Sequence, residues 1–274
     1  MILPVSSVVT IKTLCEFEIL KKSIEYYHQC QWSISCDKET ELLIKNKYDN
    51  VECLQIIKDD NCDHNYATDV QKDNWMSVMM TKFDAVEYNI DKFGYSLFLD
   101  SDMVFVNPIE EKVLAFFDNE QIDAAICQHM TNDPINEAQH GLYNGGMFHI
   151  RNKTFLNEWK KLSLRYKELG LYYEQQPLEY IQRNFYCINL PINYNIGWWR
   201  FNRPQTEKRL ELLNVENNKI MFGNKPAINF HVHTKRKLDY QNFGNFLVKK
   251  MIFLFENSDN TNYKNLMSDI QNDK

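Results

Sequence analysis

Hydrophobic positions along the chain fall into short β-branched runs that alternate with segments of helical spacing. Ser6 to Ile11 predicts a first strand, and Cys15 to Tyr27, with Phe17, Leu20, Ile24 and Tyr27 on one face, predicts the helix after it. A second strand is expected over Trp32 to Ser35, ending at Cys36-Asp37, and a third over Val51 to Ile57, running into the acidic turn Lys58-Asp59-Asp60-Asn61. A helix near Trp75 to Ile90 leads through Lys92-Phe93-Gly94 to the most apolar strand, Tyr95 to Leu99. Beyond it come a short strand over Val104 to Val106, a helix to Phe117 and a strand over Ala124 to Cys127. Tyr143 to Ile150 reads as a Gly-marked turn entering a strand, and Thr154 to Leu169 as a helix closed by Gly170. Short pieces follow at 177–184, 187–190 and 226–230, then an apolar helix over Phe243 to Phe255 and a polar, frayed tail from Asn257. Strands alternating with helices of this length predict an α/β domain with a mostly parallel sheet.

Ligands of such sheets sit beyond the carboxyl ends of the strands, so residues just after a strand come first. Asp37, Asp59, Asp60 and Asp100 meet that condition. The segment Tyr-Ser-Leu-Phe-Leu-Asp-Ser-Asp-Met-Val-Phe-Val places the carboxylates of Asp100 and Asp102 two residues apart at the end of a buried strand. Charges beside an apolar strand are costly, and a hard divalent cation shared with phosphate oxygens is a common compensation. The bland alternative is an exposed loop, since D-x-D is a frequent tripeptide; the apolar strand before it favours the metal.

Composition narrows the classes. The 274 residues carry 31 Lys+Arg against 37 Asp+Glu, a formal charge of −6 that disfavours nucleic acid or an anionic membrane as the main partner. Seven cysteines without a C-x-x-C pair give neither a disulfide framework nor a zinc ribbon, and fit reduced thiols in the cytoplasm. The opening Met-Ile-Leu-Pro-Val-Ser-Ser-Val-Val-Thr is too short and uncharged for a signal peptide, and no stretch reaches the ~18–20 apolar residues of a membrane span. Lys249-Lys250 within the apolar helix would suit a peripheral membrane contact, with packing against the main sheet as the alternative.

Lys82 to Pro108 resembles the GT-A glycosyltransferases of the glycogenin and lipopolysaccharide galactosyltransferase type, with a basic residue on a helix, an apolar strand, Leu-Asp-Ser-Asp and then Asn-Pro. Four further segments fall in the same order: Asn144-Gly145-Gly146-Met147, Glu174-Gln175-Gln176-Pro177-Leu178, Leu190-Pro191 with Tyr194-Asn195, and Phe230-His231 through Lys237. The resemblance implies a Rossmann-like GT-A fold and transfer of a sugar from a nucleotide-diphosphate donor, UDP by default, to a carbohydrate acceptor with Mn2+ or Mg2+. It implies one catalytic domain over 1–256, with a nucleotide half over 1–108, a sugar and acceptor half over 109–240, a terminal helix over 241–256 and a polar tail over 257–274.

Carried over by position, the resemblance makes Asp100, Asp102 and His231 metal ligands, with His233 competing because Thr234 stands where the family has glycine. Ser101 belongs to the donor-binding triplet, Lys237 would contact the diphosphate, and Lys82 the acidic triplet or the donor sugar. Asn144, Gly145 and Gln175 would line the sugar pocket, Gln175 also as a candidate catalytic residue; Asp37, Asp59 and Asp60 at strand ends would recognise base or ribose unless they are solvated turn residues. Glu174 stands where the family has Asp and is the candidate base of an inverting reaction; full carry-over implies retention. Trp198-Trp199 offers an aromatic floor for an acceptor sugar, or plain core packing.

Asp100 to Val104 also satisfies the D-x-D-x-V pattern of haloacid-dehalogenase phosphatases, but that class is expected to carry it on the first strand. The first glycine is Gly94, which excludes early phosphate-binding glycine loops and with them Walker ATPases, dinucleotide dehydrogenases and nucleotidylyltransferases. A non-catalytic sugar-nucleotide-binding protein is the remaining alternative.

Overall fold

Eight consecutive residues of the first strand, β1 (Ile2–Val9), pair in parallel with β2 (Gln29–Cys36), and α1 (Leu14–Glu25) crosses between them. The strand starts four residues before the expected one because Leu3 and Val5 are also fully buried. The computed structural model describes residues 1–58, 69–131, 133–201, 206–232, 234 and 245–272. Beyond β2 come α2 (Lys38–Lys45), β3 (Val51–Gln55), α3 (Asp69–Met80), α4 (Lys82–Phe93), β4 (Ser96–Leu99), β5 (Met103–Phe105), α5 (Glu111–Asp118) and β6 (Ala124–Gln128). The chain continues through α6 (Pro134–His140), β7 (Tyr143–Ile150), α7 (Lys153–Leu164), α8 (Tyr166–Leu169), α9 (Leu178–Ile181), β8 (Cys187–Asn189) and β9 (Ile196–Gly197). It ends in α10 (Thr206–Leu210), β10 (Leu213–Glu216), β11 (Lys219–Phe222), β12 (Lys225–Pro226), β13 (Asn229–His231), α11 (Asn245–Glu256) and α12 (Thr261–Asn272).

Seven strands form the central sheet in the order β3-β2-β1-β4-β7-β6-β8, and only β7 runs antiparallel to its neighbours. The two-residue period of a strand sends alternate side chains to opposite faces. Leu97 and Leu99 join α1 and α5 residues such as Phe17, Leu20 and Phe117 on one face. Phe98 meets Phe83 of α4 and Trp159 of α7 on the other. The sheet is therefore buried on both sides, as parallel sheets are.

A second core lies beside the first. There β5, β13 and β9 form a three-stranded sheet whose Val104, Phe230 and Ile196 pack with Leu247, Met251, Leu254 and Phe255 of α11 and Tyr263 and Leu266 of α12. Residues 261–272 are thus a packed helix and not a polar tail. Three apolar residues in a polar stretch, Tyr263, Leu266 and Ile270, stand at helical spacing and are all buried. The apolar helix α11 packs on this small sheet and not on the main one, with Phe253 its exposed large apolar residue. None of the described helices is long and apolar enough to cross a membrane.

Two expected helices are each divided. Thr81 separates α3 from α4: its hydroxyl donates to the Val78 carbonyl at 2.7 Å and its own carbonyl accepts from Ser35 Oγ at 2.8 Å, a side-chain bond that competes with helical pairing. Arg165, with φ −100° and ψ 13°, separates α7 from α8. The Gly-marked turn at 143–150 is instead part of a strand that is buried throughout. Pairing with β6 shifts register there, with Ile126 opposite Phe148 and Cys127 opposite Asn144, so Gly145, Gly146 and Met147 bulge from the β6 side.

Candidate active site

The triplet Asp100-Ser101-Asp102 is the corner where the chain leaves the main sheet after β4 and enters the small sheet at β5. Backbone bonds fix both ends of that corner: Asp100 N donates to the Gly146 carbonyl at 2.8 Å, and Val232 N donates to the Asp102 carbonyl at 2.9 Å. Antiparallel pairing of β13 with β5 sets His231 opposite Met103, one residue from Asp102. His231 Nε2 consequently lies 3.1 Å from Asp102 Oδ1 and 3.7 Å from Asp100 Oδ2. Ligand atoms of the three side chains all fall within 4.8 Å of one another.

Electrostatics at this point favour a cation. Burial pushes the Asp100 carboxyl up from its ordinary value, opposed by the charges of Lys82 and His231. Burial alone would lower His231, but Asp102, by charge and hydrogen bond, and Asp100 carry it above the usual imidazole value. Two carboxylates and one imidazole nitrogen are a donor set suited to Mn2+ or Mg2+. Backbone geometry leaves them room: a Cβ on Gly146 would lie 2.4 Å from His231 Cε1 and 2.5 Å from Asp100 Oδ2.

The cluster lies in the wall of a cavity of about 360 Å³ that Ser101, Asn144, Gly145, Glu174 and Gln175 also line. Such a volume lies within the range of small-molecule ligand sites. Asn144 Nδ2 donates to Gln175 Oε1 at 3.1 Å, and Gln175 Nε2 donates to the His140 carbonyl at 2.8 Å. Lys82 is fully buried beneath them, donating to Glu174 Oε1 at 2.7 Å and to the Gly145 carbonyl at 3.2 Å. Its hydrogen-bonded carboxylate is thus Glu174 and not the acidic triplet. Trp199 is buried, donates from Nε1 to the His129 carbonyl at 2.8 Å and sets its ring edge-on to His231 at 5.0 Å.

Asp37 is not brought to the cavity. It is buried and caps α2, its carboxylate accepting from Thr40 N at 2.8 Å, Thr40 Oγ1 at 2.9 Å and Ile11 N at 2.9 Å. The β1 end of the cavity is lined instead by Thr10 and Thr13. Asp59, Asp60, His233 and Lys237 lie outside the described residues. Sequence reasoning missed His129, His140 and Tyr172, which also face the cavity. His129 directly follows β6, so the strand-end rule that singled out Asp100 would have found it.

The family profile of nucleotide-diphospho-sugar transferases matches residues 33–251. No curated protein matches. Among solved structures, an active-site mutant of LgtC aligns with 12% identity and a TM-score of 0.54, over 90% of this chain and 94% of that one. The galactosyltransferase LgtC in complex with donor and acceptor sugar analogues aligns with 10% identity and a TM-score of 0.54, over 96% of this chain and all of that one. The apo-form glycosyltransferase GlyE of Streptococcus pneumoniae TIGR4 aligns with 14% identity and a TM-score of 0.53, over 91% of this chain and 60% of that one. These three share the fold, with its mostly parallel central sheet, and the profile covers well over half of the sequence. The chain belongs to the nucleotide-diphospho-sugar transferase family and is a glycosyltransferase of that type.

Proposed function

We propose that this enzyme moves a sugar from a nucleoside-diphosphate donor, UDP-linked, to a hydroxyl of a glycan acceptor, and that Asp100, Asp102 and His231 hold Mn2+ or Mg2+ for it. The observation that carries the reading is the convergence of these three side chains, from two different sheets, on the wall of one cavity. A divalent ion there supplies Lewis-acid neutralisation of the charge on a departing diphosphate. Gln175 and Asn144, already bonded to one another, present amide groups to the sugar, and Gly145 lets the backbone approach it closely. Trp199 closes the wall beside His231 and gives an acceptor ring an apolar face to lie on.

Retention of anomeric configuration is part of the proposal. An inverting reaction needs a carboxylate base at the acceptor, and Glu174, the candidate for it, is held by the fully buried Lys82 ammonium. Its Oε1 already accepts from that ammonium at 2.7 Å, so this oxygen is occupied by Lys82 and is not turned toward an acceptor hydroxyl.

The test is a thermal-shift screen of the purified protein against UDP, GDP, CMP, ADP and their sugars, each with manganese and with EDTA. Ligand binding to the native state raises the melting temperature by mass action. A shift with UDP or its sugars that requires manganese is expected. No shift with any nucleotide, in a sample that melts cooperatively, would overturn the donor and metal reading; a shift without turnover on any acceptor would favour a non-catalytic binding protein.

A further inference from the structure

A chain of side-chain amides crosses the cavity floor, and its polarity is fixed by backbone groups that cannot reverse. At one end the His140 carbonyl can only accept, so the Gln175 atom 2.8 Å away is Nε2 and its Oε1 faces Asn144. Nearer the cluster the Gly146 N–H can only donate, so the Asn144 atom 2.9 Å from it is Oδ1. Both ends agree on one orientation of Asn144. Its Oδ1 also lies 2.8 Å from the Asn195 amide, which must therefore present Nδ2. The other Asn195 atom, Oδ1, then faces His231 Nδ1 at 2.9 Å and can only accept from it.

We infer that Asn195 is a positioning residue that fixes the proton of His231 on Nδ1, leaving Nε2 as the nitrogen available to a divalent cation between Asp100 and Asp102. Which imidazole nitrogen binds a metal is set by the hydrogen bond that the other one makes. The inference rests on the metal reading given above and adds the residue that makes His231 competent as a ligand. Asn195 is built for one place: it is fully buried, its φ of 50° lies in the left-handed region that asparagine tolerates, and its own N–H donates to Asn229 Oδ1 at 3.0 Å. Through it the sugar-pocket amides Asn144 and Gln175 are tied to the metal-ligand strand β13. A change in the sugar pocket is thereby transmitted to the orientation of His231.

The experiment is manganese affinity, read from the electron paramagnetic resonance of free Mn2+, in the wild type and in Asn195→Gly, Asn195→Asp and Asp102→Asn. Asn195→Gly keeps the left-handed backbone without strain and removes the acceptor. It should weaken Mn2+ binding about 10- to 100-fold, the usual effect of losing such a partner. Asn195→Asp restores an acceptor for Nδ1–H but turns its other oxygen toward Asn144 Oδ1, also an acceptor, so it should recover part of that loss and not all of it. Wild-type affinity in Asn195→Gly, with Asp102→Asn weakened, would overturn this inference and leave the metal reading standing. Wild-type affinity in Asp102→Asn would overturn the metal reading and this inference with it. A second measurement does not depend on any variant folding: in the zinc-loaded wild type, long-range 1H–15N spectra should show the His231 proton on Nδ1, and a proton on Nε2 would overturn the assignment.

Discussion

Adding one methyl group at Gly146 should disable the site while leaving the fold in place. A Cβ there would stand 2.4 Å from His231 Cε1, 2.5 Å from Asp100 Oδ2 and 2.9 Å from Asn144 Oδ1. Ordinary contact between carbon atoms is about 3.5–4.0 Å, so His231 or the strand must move by about 1 Å. None of the three groups is a loose surface chain: His231 is held by Asn195, Asn144 by Gln175 and Asp100 by its backbone bond to Gly146. Metal–ligand distances tolerate only about 0.2 Å, and a misplacement near 1 Å costs on the order of 10²-fold in rate. Overpacking of a buried position costs about 1–3 kcal/mol, or roughly 2–10 °C of melting temperature at this size. Gly146→Ala should therefore lower kcat/KM about 100-fold, weaken manganese binding and still melt cooperatively. Gly145→Ala is the comparison, since its Cβ would meet Glu174 Oε1 at 3.1 Å and Lys82 Nζ at 3.7 Å, a milder conflict away from the metal ligands. Wild-type kcat/KM and manganese affinity in Gly146→Ala would refute the reasoning.

Asp102→Asn and His231→Ala should each reduce turnover by orders of magnitude with melting temperatures close to wild type; normal activity in both purified variants would dismiss them as metal ligands. Lys82→Met leaves Glu174 buried without its cation and should cost about 3–5 kcal/mol in urea unfolding, whereas the double change Lys82→Met with Glu174→Gln should recover much of that. His149 lies fully buried against the rings of Tyr95 and Phe117, and burial, with Arg151 nearby, holds its imidazole down at about 3. A folded value below the unfolded one means that this stability is complete above pH ~6.5 and is lost as pH falls toward 3, so about 2 kcal/mol goes between pH 7 and 5. In His149→Phe the loss of stability from pH 7 to 5 should be smaller than in wild type by about that amount; an identical loss would refute the assignment. Leu266→Ala empties a fully buried site in α12 and should cost about 2–5 kcal/mol, a result that a loose tail at that position would not give.

The parallel sheet and the proximity of Asp100 and Asp102 at a strand end were legible from local signals, whereas His231 came only through the family resemblance. Leu97, Phe98 and Leu99 are apolar in succession because the strand is covered on both faces, and carboxylates placed directly after it stand out. What the sequence did not reveal depends on pairing between distant segments. The break at Thr81 has only a weak local signal, the threonine hydroxyl itself; the bond to its carbonyl comes from Ser35, 46 residues away. Asp37 satisfied the strand-end rule equally well, yet its position also begins a helix, and the capping role took its oxygens. Gly145 and Gly146 looked like turn residues because glycine signals a sharp bend and a close approach equally; here the approach of His231 and Asp100 is what requires Gly146. The terminal helix was hidden by a polar composition in which Tyr263, Leu266, Met267 and Ile270 alone carry the packing face.

The arrangement of the cluster has a further physical meaning. Asp100 belongs to the last turn of the main sheet, bonded to β7, while Asp102 and His231 belong to the small sheet, bonded to each other across β5 and β13. The three candidate ligand side chains therefore report the relative placement of the main sheet and the small one, whose cores meet along α1, where Ile19 packs into the α11 and α12 cluster. Within each sheet the register is fixed by backbone hydrogen bonds; the sheets are joined by the three-residue corner 100–102, by the bond from Phe105 N to Ser23 Oγ of α1 at 2.9 Å and by the amide chain from Asn144 through Asn195 to His231. A cation bound at the corner would add a further tie between the two sheets and their cores. Its binding should raise the stability of both together, and weakening the second core should be felt at the ligand set although none of its helices touches the substrate cavity.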